Sequence, residues 1–78
     1  MWNPKITTEE KGDFTYVYLD GYERGSIYKT EDLQGKIRYM ATISHKPYKG
    51  KYFKKEKSAK RYIVREEKKY IPIEKAFN

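Results

Sequence analysis

Few side chains in this sequence could carry out chemistry on their own. There is one histidine, His45, and no cysteine, so neither a zinc site nor a thiolate nucleophile can be assembled from the usual ligands. No serine has a histidine and a carboxylate at triad spacing, and no glycine-rich phosphate loop is present. Asp13, Asp20 and Glu23 cluster near what reads as a hairpin tip and could gather around a cation, but turn formation and solvation account for them more simply. The reading is therefore of a chain with no catalytic residues, no metal and no cofactor. What remains is a set of cations and rings. Lysines can meet phosphates, arginine forks can reach guanine edges or carboxylates, and tyrosines can stack on bases.

Those cations are unevenly distributed. Residues 1–35 carry four basic and seven acidic side chains, a balance of −3, whereas residues 36–78 carry fourteen and four, a balance of +10, within a net charge of +7. A field polarised in this way attracts polyanions and orients them against one side of a molecule. Nucleic acid is the commonest partner of that kind, DNA ahead of RNA. The bland alternative is a lysine-rich surface that serves solubility alone.

The elements that must position these groups follow from period and turn chemistry. Residues 1–12 show no period and read as a flexible or edge-packed arm anchored by Trp2 and Ile6. Phe14–Leu19 is rich in aromatic and β-branched residues and runs into Asp20-Gly21, which suits a type I′ turn, so a hairpin returning over Tyr22–Thr30 is predicted, with Gly25 a bulge or close-packing point. Residues 31–35 read as a turn. Lys36–Ser44 alternates cleanly, with Ile37, Tyr39, Ala41 and Ile43 on one face and Arg38, Met40, Thr42 and Ser44 on the other. His45–Gly50 reads as a loop with a β-turn, and Lys51–Lys54 as a short fourth strand. Ala59, Tyr62, Ile63, Glu66 and Tyr70 recur at helical spacing, which predicts a helix over Glu56–Lys69 ended by Ile71-Pro72, then a tail over 71–78 held by Ile73 and Phe77. The expectation is one α+β domain over 1–78, an antiparallel β-meander (13–54) of three to four strands packed on one carboxy-terminal helix (56–69). With no signal-peptide pattern and no apolar run of about 20 residues, it reads as a cytoplasmic protein of a bacterial host with no membrane partner, a monomer or weak dimer.

If Asp20-Gly21 form a two-residue turn, Phe14 faces Ile27 and Tyr16 faces Gly25, and these join Ile37, Tyr39, Ala41, Ile43 and Phe53 beneath the helix. The other face then shows Val17, Arg24, Ser26, Tyr28, Arg38, Met40, Thr42, Tyr52 and Lys54. Cations interleaved with aromatics on an open sheet suit nucleic-acid binding. The candidate binding residues are Arg24, Tyr28, Arg38, Met40, Thr42 and Tyr52 on that face. Lys46, Lys49, Lys51, Lys54 and Lys57 in the loop and the start of the helix are the candidate phosphate contacts.

The runs Gly35-Lys36-Ile37-Arg38-Tyr39-Met40-Ala41-Thr42-Ile43 and Gly50-Lys51-Tyr52-Phe53-Lys54-Lys55-Glu56-Lys57-Ser58-Ala59 resemble the AP2-like fold and the amino-terminal arm-binding domains of phage and transposon integrases, over about residues 24–70. The resemblance implies a three-stranded sheet packed on a carboxy-terminal helix, its open face entering the DNA major groove with Arg24 and Arg38 as base-reading side chains. The chain departs from that pattern in Lys55, where a helix-capping threonine or serine is usual, in a longer gap between Gly35 and Ala41, and in the additional strand at Phe14–Leu19. Gly25-Ser26-Ile27-Tyr28 is similar to half of a GIY-YIG nuclease motif, but the matching half is not recognisable, and chance accounts for it.

The competing reading is a protein-binding module. Abundant lysine, tyrosine and isoleucine in one small domain suit a bacteriophage or mobile-element gene of an AT-rich genome. Such genes encode small inhibitors of host proteins, of anti-restriction, anti-CRISPR or polymerase-binding type, and a basic inhibitor would dock in the groove of an acidic host protein.

Overall fold

The computed structural model describes residues 3–76, with the backbone alone described for Tyr48 and for residues 71–76. Five strands, β1 (Ile6–Lys11), β2 (Phe14–Leu19), β3 (Tyr22–Glu31), β4 (Ile37–Ile43) and β5 (Lys46–Phe53), precede one helix, α1 (Glu56–Ala76). The sheet is antiparallel in the order β1-β2-β3-β4-β5, so each strand pairs with its neighbours in sequence. The class is α+β with a carboxy-terminal helix, as the patterning predicts, but with more strands.

The added strand is β1, within the segment read as an arm. Asp20, at φ 53°, and Gly21, at φ 85°, make the tight turn that the dipeptide predicts. Asp20 also holds the start of the chain: its carboxylate accepts from the Lys5 backbone N–H at 2.8 Å, and its own N–H donates to the Lys5 carbonyl at 2.9 Å. From there Ile6 to Lys11 pair with Leu19 to Phe14. All six residues of β1 are exposed, so backbone pairing rather than apolar burial holds the strand. Trp2 lies outside the described residues.

A bulge in the first predicted hairpin decides which face is which. Leu19↔Tyr22 and Tyr18↔Glu23 pair as the two-residue turn requires, but the register then shifts, so that Val17 lies opposite Gly25 and Phe14 opposite Tyr28. A one-residue slip moves every later side chain to the other face. Val17, expected on the open face, is fully buried in the core with Leu19, Ile27, Ala41, Ile43, Ala59, Tyr62 and Ile63. Phe14 and Tyr16, expected beneath the helix, are on the open face. Gly25 lets the helix approach closely: a Cβ there would lie 2.6 Å from the Ile63 side chain and 2.7 Å from the Thr42 carbonyl oxygen.

Two further boundaries differ from expectation. Residues 46–50 are not a loop but the first part of β5; the turn is Ser44-His45. Ile43 pairs with Lys46 and Thr42 with Gly50, so Pro47, Tyr48 and Lys49 form a bulge on an edge strand, where the missing proline N–H is tolerated. The helix continues past Pro72 to Ala76. Pro72 withholds a donor from the Lys68 carbonyl and a proline ring crowds the carbonyl four residues back, which disfavours but does not forbid continuation of a helix. The expected tail is therefore helical as far as residue 76; the anchoring assigned to the Ile73 and Phe77 side chains lies outside what is described. Among the described residues no helix is long and apolar enough to cross a membrane.

Candidate nucleic-acid interface

The register shift assembles a feature on the open face that the individual strands do not announce. Lys11 pairs with Phe14, Phe14 with Tyr28, Tyr28 with Met40 and Met40 with Tyr52. One transverse row therefore crosses all five strands, about 19 Å at the usual spacing of about 4.8 Å between strands. Phe14 and Tyr28 are in contact with ring centroids 4.8 Å apart, and Phe14 stacks on Tyr16 at 6.1 Å. Phe14 is 41% and Tyr52 62% exposed, a large apolar area to leave in water. Gly50 clears space for the row: a Cβ at Gly50 would lie 3.1 Å from Met40 Cγ and Sδ. The neighbouring row, Glu9, Tyr16, Ser26, Thr42 and Gly50, is smaller and more polar.

Cations border this face rather than interleave with it. At one end Lys11 Nζ lies 3.1 Å from Glu9 and 5.8 Å from the Tyr16 ring centre. The hydrogen bond and charge of Glu9 hold the Lys11 ammonium above the usual lysine range. At the other end Arg38 lies beside Thr30, its guanidinium fixed by Asp32 Oδ2 at 3.3 Å and by the Ile37 carbonyl at 2.9 Å. The backbone N–H of Lys36 holds the Asp32 carboxyl below the ordinary carboxylate range, with that of Gln34 and the charge of Arg38 assisting. Thr30, Glu31, Asp32, Leu33, Arg38 and Tyr52 line a cavity of about 400 Å³ at this end.

Of the predicted site residues, Tyr28, Met40, Thr42, Tyr52 and Arg38 share the open face. Arg24 does not. As the extra residue of the bulge it turns to the helix side, where its Nη1 lies 3.9 Å from Glu67 Oε2. Glu67 is fully buried, and its Oε1 lies 2.8 Å from His45 Nδ1. His45 in turn stacks on Tyr70, with ring centres 4.0 Å apart. This cluster ties the bulge and the β4–β5 turn to α1, so Arg24 and the lone histidine serve packing. The lysines divide as well. Lys51 lies on the helix side with Nζ 5.6 Å from the Phe53 ring centre and 5.2 Å from that of Tyr62. Lys46 is paired with core-facing Ile43 on the same side, Lys57 is exposed on α1, and Lys49 and Lys54 are exposed in and just beyond β5. Phe14 and Tyr16 are the ring positions that sequence reading assigned to the wrong face. The signal for them was Gly25, marked as a bulge or close-packing point: it is the close-packing point, and the bulged residue is its neighbour Arg24.

Asp13, Asp20 and Glu23 do not converge, and among the described residues no group of three histidine or carboxylate side chains is placed to hold a metal ion. Compared with known proteins, the chain matches no family model, no curated protein and no solved structure.

Proposed function

We propose that this chain is a small nucleic-acid-binding module that stacks unpaired bases of a single strand on its open sheet face. The observation that carries the reading is the transverse row Phe14, Tyr28, Met40 and Tyr52. Exposed rings on an antiparallel sheet take about two or three bases in sheets that bind single strands, because every base has a face to stack. The net charge of +7 favours approach of any polyanion. Major-groove reading of the AP2-like kind has less support, since it needs long forked cations free on this face. Arg24 turns to the helix, and Arg38 is held by Asp32. Tyr28→Ala and Tyr52→Ala should each weaken binding of a 12-nucleotide single strand by about 1 to 3 kcal/mol with little change in salt dependence, measured by fluorescence anisotropy. Unchanged affinity in both variants would remove the sheet face from the interface.

One observation favours a protein partner instead. Leu33 is fully exposed at the tip of the β3–β4 loop, beside Tyr52 and the cavity lined by Arg38. An apolar peg next to an aromatic ring and an arginine is the composition of a protein hot spot. Leu33→Ser separates the two readings: it should leave single-strand binding unaltered and abolish capture of a host protein.

A further inference from the structure

We infer that the outward face of α1 is a second nucleic-acid surface, which holds the phosphate backbone of a duplex while the sheet face holds a single strand. Lys57, Arg61, Arg65 and Lys69 are all exposed and recur at every fourth position. On a helix rising 1.5 Å per residue they form a gently winding ridge about 18 Å long. Lys69 is paired with Glu66 at 3.4 Å. Among the described residues no carboxylate lies within ion-pair distance of Lys57, Arg61 or Arg65. Among those residues the ridge thus presents three cations without an ion-pair partner, available to phosphate oxygens as charges.

The chemistry of the ridge selects among polyanions. A helix that lies on a membrane surface needs an apolar face to insert, and the apolar face of α1, made of Ala59, Tyr62 and Ile63, is already buried against the sheet. A protein interface wants aromatic anchors at its centre, and neither the ridge nor the hollow that Lys57 and Arg61 share with Ile6 and Val64 offers a ring. A line of cations without rings or hydrogen-bonding amides suits a phosphate backbone, which positions a protein without being read. The ridge and the aromatic row lie on opposite sides of a body whose shorter dimensions are 21 and 19 Å. Two segments of nucleic acid can therefore be held at once, as at a junction between paired and unpaired DNA or RNA.

This inference rests on the reading that the ligand is nucleic acid, and its test separates the two surfaces. The full chain is titrated with a 20-base-pair duplex and with a 12-nucleotide single strand at 50 and 200 mM salt. The triple variant K57Q/R61Q/R65Q, its fold checked by circular dichroism, should keep its single-strand affinity within about threefold. Its loss of duplex affinity between the two salt concentrations should be about 40-fold smaller than that of the wild type, the change expected for three phosphate contacts. R61K/R65K should behave as wild type, because a backbone contact needs charge and not a fork. The wild type saturated with single strand should still take up duplex. One-for-one competition between the two, or an unaltered duplex salt response in the triple variant, would overturn the ridge assignment and leave the sheet reading standing. Duplex binding that depends on the ridge, with no single-strand binding at all, would do the opposite, and binding of neither probe would remove both.

Discussion

Glu67 ties the bulge and the β4–β5 turn to the helix. It is fully buried, with His45 on one carboxylate oxygen and Arg24 near the other. A buried carboxylate is tolerable because it is paired, and removing one member of such a cluster leaves the others desolvated without compensation. Glu67→Ala should therefore cost about 3 to 5 kcal/mol in urea unfolding, most of what a domain of this size has. A cost below about 1 kcal/mol would mean that water reaches Arg24 and His45. Asp32 acts on the surface instead. Because its carboxyl is held below the ordinary range, chiefly by the Lys36 N–H, its ionised form favours the folded state. That contribution is present above the unfolded carboxylate value of about 3.9 and is lost as pH falls through the lower folded value. Asp32→Asn should melt below the wild type at pH 6 and at the same temperature once the wild-type carboxyl is protonated; a gap that persists in strong acid would assign the effect to shape rather than charge.

At the scale of elements, the bulge at Arg24 sets the faces of the sheet. It makes two neighbours behave oppositely. Val17 is fully buried and Tyr16 partly exposed, so Val17→Asp should unfold the domain, whereas Tyr16→Asp should shift stability by less than about 1 kcal/mol. The unbulged register predicts the reverse, and thermal melts of the two variants decide between them. The same bulge marks where sequence reading stops. Clean alternation placed Ala41 and Ile43 in the core and Met40 and Thr42 outside, and helical spacing placed Ala59, Tyr62 and Ile63 against them. In β2, both parities carry large apolar residues, Phe14, Tyr16 and Tyr18 on one and Val17 and Leu19 on the other. Pattern alone cannot choose between them, and only the position of the extra residue does. β1 was illegible for a different reason: all six of its residues are exposed, so no period betrays a strand that exists through its ladder to β2 and the Asp20–Lys5 tie. The aromatic row needed the registers of four strand pairs at once, information that no single segment holds.

At the scale of the whole molecule, the basic ridge works against stability. Lys57, Arg61, Arg65 and Lys69 place like charges at three consecutive i,i+4 steps, each unfavourable by about 0.2 to 0.5 kcal/mol. A chain of 78 residues has little stability to spare for a repulsion that packing does not require. Keeping it is what a surface selected for an anionic partner would do, since stability and binding are then in conflict at the same residues. Arg61→Glu puts that conflict to measurement. It replaces two repulsive steps, Lys57–Arg61 and Arg61–Arg65, with two attractive ones, so the variant should be more stable than the wild type by about 1 kcal/mol at low salt. The gain should vanish near 1 M salt, where the Debye length falls to about 3 Å. Duplex binding should weaken in the same variant. A surface that serves solubility alone would show the gain in stability with no loss of binding, and a variant less stable than the wild type at low salt would show that the outward face of α1 is packed rather than free.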